Sequence, residues 1–288
     1  PRCALLVWGG KTMLKPASDR LDYGDLLIPP LGFETDFALG TTYSLDLEAL
    51  VGFSLALFLS AEMNNSLLNN SIVVLESLRR SAKHFAVLCE GGQIKVPQNR
   101  GVLLSFLEDS VYEVVLSGNR SFHPKVWLIR YQNGKSDFRY RLLVMSRNQT
   151  FDRSWDVAVA LEGELTAKKN YQAIRQKNKP LLAFVKYLQS RILNEEKQER
   201  IAGILKELAR VEFTTGDPHY TDYTFYPLGI PRYFHKLKDL FPVYQDLLII
   251  SPFISKGVID QFAGLALPNS TGTLITRRTE INKLVQEQ

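Results

Sequence analysis

The dipeptide Asn133–Gly134, inside "YQNGKSDFRY", constrains the fold more than any other feature of this chain. It separates two apolar runs rich in β-branched and aromatic residues. Asn-Gly accepts the left-handed backbone that a tight hairpin turn demands, so residues 125–132 and 139–146 are predicted to pair antiparallel. "WDVAVALEG" alternates and predicts a further strand, as do "YEVVLSG" and "HFAVLCE", the latter a buried one bounded by Gly91–Gly92. "TDFALGTTYSL" reads as a strand running into a helix over about 45–60, and "SIVVLESLRRS" as a second helix. Strands and helices interleaved in this way specify an α/β fold, a mixed sheet sandwiched by helices.

The rest of the chain predicts four segments. Residues 1–37 are Pro- and Gly-rich and irregular, and 38–165 form the lobe just described. Residues 166–216 are a helical connector with Lys168, Lys169, Arg175, Lys177 and Lys179 near its start. From 217 to 288, a Pro/Tyr-rich break leads into "YQDLLIISPFISKGVIDQFAGLALPNSTGTLITRRTE", which reads strand, helix, strand. That order repeats the pattern of residues 38–90, so 217–288 is expected to be the beginning of a second lobe. "VWGGKTM" lacks the first glycine of a phosphate loop, since Leu5 stands there. The apolar run at 49–59 is too short to span a bilayer, no signal peptide is visible, and no membrane association is expected. Two cysteines, Cys3 and Cys89, make neither a disulfide framework nor a zinc pair, which points to a reducing, cytoplasmic setting. The chain opens at Pro1 without a methionine, as an incomplete or processed N-terminus would.

Chemistry concentrates in "SFHPKVWLIRY" and "MSRNQTFDRSWDVAVALEG". His123 and Lys125 are two apart on an extended segment, so both point to one face, about 7 Å apart along the backbone. The hairpin returns Ser146 and Asn148 to the same sheet end, and Asp156 opens the next strand. A neutral imidazole held in one tautomer can attack phosphorus, and the growing charge on the phosphate oxygens calls for a cation and neutral donors nearby. Each residue also has a plain structural reading: a strand histidine, a turn asparagine, an aspartate pairing with Arg153.

Together these residues resemble the signature of the phospholipase D superfamily, H-x-K followed by G-S-x-N and an acidic residue opening a strand. Here they stand as His123-Pro124-Lys125, Ser146-Arg147-Asn148 and Asp156. Met145 replaces the glycine, and "VWLIRY" after Lys125 lacks the aspartate that many members carry there, as in the nuclease-like branches. The resemblance implies a phospholipase D-like lobe and a metal-independent phosphodiesterase without cofactor. His123 would be the nucleophile that forms a phosphohistidine, Lys125 and Asn148 phosphate ligands, Ser146 a further ligand, and Asp156 the group that orients His123. It also implies a second histidine to protonate the leaving oxygen. His84, His219 and His235 lack the H-x-K pattern. Carrying the first-lobe intervals into the second copy puts another H-x-K near 310 or 331, past Gln288. The expectation is therefore a longer two-copy protein, or a homodimer in which each chain gives one His123.

The superfamily acts on lipids and nucleic acids alike. A net charge of +5 permits a phosphate-bearing partner, and Arg120, Arg147 and Arg153 around the motif, Arg277 and Arg278 at the end of the later strand, and the basic connector from Lys168 to Lys179 favour a nucleic-acid backbone. The expected activity is a nuclease, on DNA before RNA, of the bacterial restriction or phage-defence type, working with defence partner proteins. A phosphatidyl hydrolase or transferase using the same site and a non-catalytic nucleic-acid-binding subunit are the alternatives.

Overall fold

The computed structural model describes residues 23–58, 71–97, 102–118, 120–134, 136–152, 154, 156–167, 171–216, 220–233 and 237–286. The chain divides into two compact units, Pro1–Pro227 and Leu228–Gln288. The first runs α1 (Tyr23–Leu27), β1 (Glu34–Thr41), β2 (Leu45–Asp46), α2 (Leu47–Phe58), α3 (Ser71–Ser81), β3 (Phe85–Glu90) and β4 (Ile94–Lys95). It continues with α4 (Val102–Ser105), β5 (Val111–Val114), β6 (Val126–Asn133), β7 (Asp137–Met145) and β8 (Ala158–Leu165). It closes with α5 (Gln172–Gln189), α6 (Glu195–Leu208) and β9 (Val211–Thr214).

Seven of these strands form one mixed sheet in the order β5-β3-β1-β6-β7-β8-β9. β5, β3 and β1 are parallel, and every pair from β1–β6 onward is antiparallel. The expected α/β sheet flanked by helices is what the chain forms. Strand direction then settles where a site can lie. The carboxyl ends of β1, β3, β5 and β7 and the starts of β6 and β8 share one end of the sheet.

The Asn133–Gly134 signal does mark the β6–β7 hairpin. Asn133 pairs with Asp137, and Gly134 takes the left-handed backbone at φ 64°. On one sheet face Ala38, Val87, Trp127, Ile129, Tyr131, Leu143 and Met145 form a core with Leu27 and with Leu50 and Leu57 of α2. Gly40 lies opposite Trp127 in the β1–β6 register, and a Cβ there would sit 2.7 Å from the indole. Glycine is what lets the flat ring lie on the strand.

The other face shows where residues 166–216 go. Arg130 of β6 bonds Asp36 at 2.6 Å and Glu207 of α6 at 2.8 Å, and Arg200 of α6 reaches Asp36 at 2.7 Å. Tyr140 of β7 also donates to Glu207. The Arg130 guanidinium is desolvated, which alone would lower its pKa, but Glu207 and Asp36 outweigh this and hold it charged. α6 begins with Asn194 as a cap, its side chain accepting from Lys197 N at 3.0 Å, and with Glu195 and Glu196 in the first turn. Asn178 of α5 is buried and donates to Leu208 O and Val211 O, tying both helices to β9. The segment read from sequence as a connector thus contributes a strand and two docked helices. Its apolar stripe is helical in period, but the partners that dock it, Arg130 for Glu207 and Asp36 for Arg200, are remote in sequence.

The second unit contains α7 (Leu237–Leu240), β10 (Tyr244–Ile250), α8 (Lys256–Ala263), β11 (Ala266–Ile275) and α9 (Arg278–Gln286). β10 and β11 are parallel and joined through α8, as β1 and β3 are parallel in the first unit. The strand exits also agree. Thr42 N donates to Leu88 O and its hydroxyl to Ser44 O, while Ser251 N donates to Ile275 O and its hydroxyl to Phe253 O. In both cases a hydroxyl two residues before its acceptor turns the chain out of the sheet.

Candidate active site

His123 and Lys125 immediately precede β6, at the sheet end where β1 and β3 terminate. Crevices beyond the carboxyl ends of parallel strands are where α/β sheets bind ligands. The segment is held from three sides. Thr41 Oγ1 accepts from Val126 N at 2.9 Å, Met145 N donates to Lys125 O at 2.9 Å, and Phe122 N donates to the Glu90 carboxylate. His123 is exposed, whereas Lys125 is buried.

The two side chains meet. Lys125 Nζ lies 3.0 Å from His123 Nδ1 and 3.3 Å from the His123 carbonyl. An ammonium can only donate, so Nδ1 accepts and the ring proton sits on Nε2. The Tyr43 ring, on the loop leaving β1, packs against the imidazole with centroids 4.7 Å apart and planes at 41°. Tyr43 O in turn accepts from Glu90 N at 3.2 Å. Lys125 and Tyr43 therefore set the orientation of His123.

This differs from the expectation for Asp156. Its carboxylate accepts from Ser146 Oγ and Ser154 Oγ, both at 2.7 Å, with Arg147 Nη1 at 3.5 Å. It organises the β7–β8 junction while Lys125 occupies Nδ1 of His123. Ser146 is engaged as well, because its hydroxyl gives its proton to Asp156 and accepts from Val157 N at 3.0 Å. One lone pair remains to it and no proton, which makes it a poor ligand for a phosphate oxygen. Arg147 turns inward, with Nη2 on Thr150 O at 3.0 Å and Asp152 O at 2.6 Å. Both residues hold the loop, in a role that sequence spacing could not distinguish from substrate contact.

Asn148 is different. It is half-buried, and among the described residues its Oδ1 has no partner. Gln149 beside it is buried with both side-chain polar atoms unpaired. Its backbone is fixed, the N–H on Thr42 Oγ1 at 3.0 Å and the carbonyl accepting from Asp46 N at 2.9 Å. Asp46 also caps α2 through Glu48 N at 3.0 Å and pairs with Lys95 at 2.9 Å. Unpaired buried amide groups are rare in proteins and mark places where a further polar partner belongs.

Among the remaining expected contacts, Arg120 is exposed and bonds Ser117 O and Oγ. Arg153 lies outside the described residues. Arg277 and Arg278 belong to the second unit, where Arg277 stacks over Phe253 at 4.6 Å. His84 Nδ1 donates to Asp36 O at 2.9 Å, before β3 and thus at the opposite sheet end from His123. His219 and His235 lie outside the described residues. Among the described residues no group of three or more His, Cys, Asp or Glu could hold a metal, and no helix is long and apolar enough to cross a membrane. Burial pushes the Cys89 thiol up to about 12, so it is not a nucleophile.

Tyr43, Glu90 and Gln149 are the site residues that sequence reasoning missed. Tyr43 and Glu90 each follow or end a strand, at the carboxyl end where parallel sheets place function, and that was the available signal.

No protein-family model matches this chain, and no curated protein does. Among solved structures it is similar to yeast tyrosyl-DNA phosphodiesterase, with a TM-score of 0.37 and 13% identity over 62% of this chain and 35% of that one. A His-to-Asn mutant of that enzyme gives a TM-score of 0.46 and 14% identity over 94% and 60%. A His-to-Ala mutant gives 0.42 and 15% over 88% and 56%. The chain spans between 35% and 60% of the length of these structures. Likeness at this level carries no argument about activity.

Proposed function

We propose that this chain is a phosphodiesterase of the phospholipase D type, acting on nucleic acid, DNA before RNA, through a covalent phosphohistidine at His123. The contact between Lys125 Nζ and His123 Nδ1, at the exposed end of a mixed sheet, carries the reading. A buried cation bonded to an exposed imidazole is prepared for an anion. An arriving phosphate offers Lys125 a charged acceptor, and the attraction between an ammonium and an anionic oxygen exceeds that to a neutral ring nitrogen.

Lys125 then moves to a non-bridging oxygen and an imidazole lone pair is released towards phosphorus. The nitrogen–phosphorus bond forms as the phosphorus–oxygen bond to the leaving strand breaks, and the departing oxygen takes a proton. Asn148 binds a second non-bridging oxygen through its side-chain N–H. Water then hydrolyses the phosphohistidine. The leaving-group proton comes from a second histidine, which we assign to a second H-x-K lobe in a longer chain or to a homodimer partner. Under the first arrangement residues 217–288 are the beginning of that lobe. A place in restriction or phage defence belongs to the same reading.

The test is cleavage of labelled single- and double-stranded DNA and RNA by the full protein in excess EDTA, beside His123→Ala. EDTA-resistant cleavage that the variant lacks supports the mechanism, and a labelled covalent adduct at His123 after acid-free quench supports the intermediate. Cleavage abolished by EDTA sinks it. Turnover of phospholipid without nucleic-acid cleavage would move the same site to the phosphatidyl hydrolase class.

A further inference from the structure

The end of the sheet that holds His123 leaves apolar side chains in the open. Among the described residues Val96, Val115, Phe151 and Val157 are 51, 76, 66 and 54% exposed. Val96 follows β4, Val115 follows β5, Val157 precedes β8, and Phe151 lies between β7 and β8, all at that end. A phenyl ring left in water forgoes the burial that draws large apolar side chains inside.

Phe151 is also presented by a backbone pinned on both sides. Arg147 Nη2 donates to the carbonyls of its two neighbours, Thr150 and Asp152, at 3.0 and 2.6 Å. Thr150 Oγ1 bonds Asp152 Oδ2 across the turn at 2.5 Å. The Asp152 carboxyl is held below its usual range by that hydroxyl, against some desolvation, with Ser154 and Arg147 adding to it. The interactions that withdraw Arg147 from solvent thus push Phe151 into it, three residues beyond Asn148.

We propose that Phe151 is a stacking platform for the base next to the bound phosphate, so that the site takes single-stranded nucleic acid or an unpaired strand end. This rests on the phosphodiesterase reading above and names its substrate class. A phenyl face carries no hydrogen-bonding groups, so it accepts any base and gives no sequence preference. A base within a duplex already has neighbours on both faces and must leave the stack before it meets a side chain. Membrane insertion suits the ring less well. The Asp152 side chain beside it is 50% exposed, and inserting Phe151 would press that carboxylate against the bilayer. A stacked base leaves it in water.

The experiment measures binding of a labelled single-stranded oligonucleotide by anisotropy in EDTA. It compares the unaltered full protein with Phe151→Ala and Phe151→Trp, and repeats the titration with a blunt duplex, an oligonucleotide abasic throughout, and anionic phospholipid vesicles. The expected result is single-strand binding weakened about 5- to 150-fold by Phe151→Ala and retained by Phe151→Trp. Abasic and duplex binding should be weak and insensitive to either change. Equal loss on the normal and abasic strands, or no loss on either, overturns the proposal. So does failure of the protein to bind single strands, or vesicle binding that depends on Phe151. Single-strand binding that behaves as expected, without any cleavage, would leave the stacking role standing and remove the catalytic reading instead.

Discussion

Lys197 is buried to 3% exposure on α6, and among the described residues no carboxylate forms an ion pair with it. Its Nζ donates to Asp109 O at 2.7 Å and to Ser110 Oγ at 3.2 Å, both neutral acceptors. Desolvation lowers its pKa from 10.5 to about 8, against the pull of the Asp109 and Glu196 charges. The folded state therefore binds this proton less tightly than the unfolded chain. Below about pH 8 the ammonium is charged in both states and the fold bears the whole desolvation cost. As pH rises from about 8 towards 10.5, the folded state sheds the proton first and is relieved of that cost. The interval, at about 1.36 kcal/mol per pH unit, is worth about 3 kcal/mol.

The perturbation is Lys197→Met, which keeps the length of the side chain and removes the charge. Losing the two donated bonds costs the variant a constant amount, so the informative quantity is the pH dependence of the difference. Urea unfolding of both proteins, followed by circular dichroism from pH 7.5 to 10.5, supplies it. Relative to the variant, the unaltered protein should gain about 3 kcal/mol across that range. A difference that stays flat with pH would falsify the account of Lys197 as a desolvated cation.

Breaking the charged network should cost more than any surface change. Arg130→Met leaves Asp36 to Arg200 and Glu207 to the Tyr140 hydroxyl, and the loss of charge-assisted bonds between the sheet and α6 should lower stability by about 2–3 kcal/mol, read from the urea midpoint. Gly40→Ala drives a methyl into the Trp127 ring and should cost about 1–3 kcal/mol, with the Trp127 near-ultraviolet signal altered. Ser146→Ala removes a bond to Asp156 and one from Val157 N, and should lower stability by about 1–2 kcal/mol while leaving KM for an oligonucleotide nearly unchanged. Asn148→Ala should do the reverse, raising KM or lowering kcat at least tenfold with little change in the unfolding curve.

Much of this protein was written in local pattern. The helix at Ser71–Ser81, the buried strand at Phe85–Glu90 and the β6–β7 hairpin follow from side-chain period and turn chemistry, which act over a few residues. Spacing of two on an extended chain put His123 beside Lys125, and the hairpin returned Asn148 to the same end. What period cannot express is how distant groups satisfy one another. Asp156 had the right type and position to orient His123, yet Ser146 and Ser154 engage its carboxylate while Lys125 reaches Nδ1. Arg147 was expected on substrate and instead staples the loop that presents Phe151. Residues 166–216 read as a helical connector because Glu207 and Arg200 find their partners, Arg130 and Asp36, only across the folded sheet. The sequence by itself determined most of the lobe's strands and helices and the residue types gathered at one sheet end. The tertiary structure decided which of those side chains face an incoming phosphate, because a buried polar group takes the nearest partner the whole fold offers it, whatever its distance along the chain.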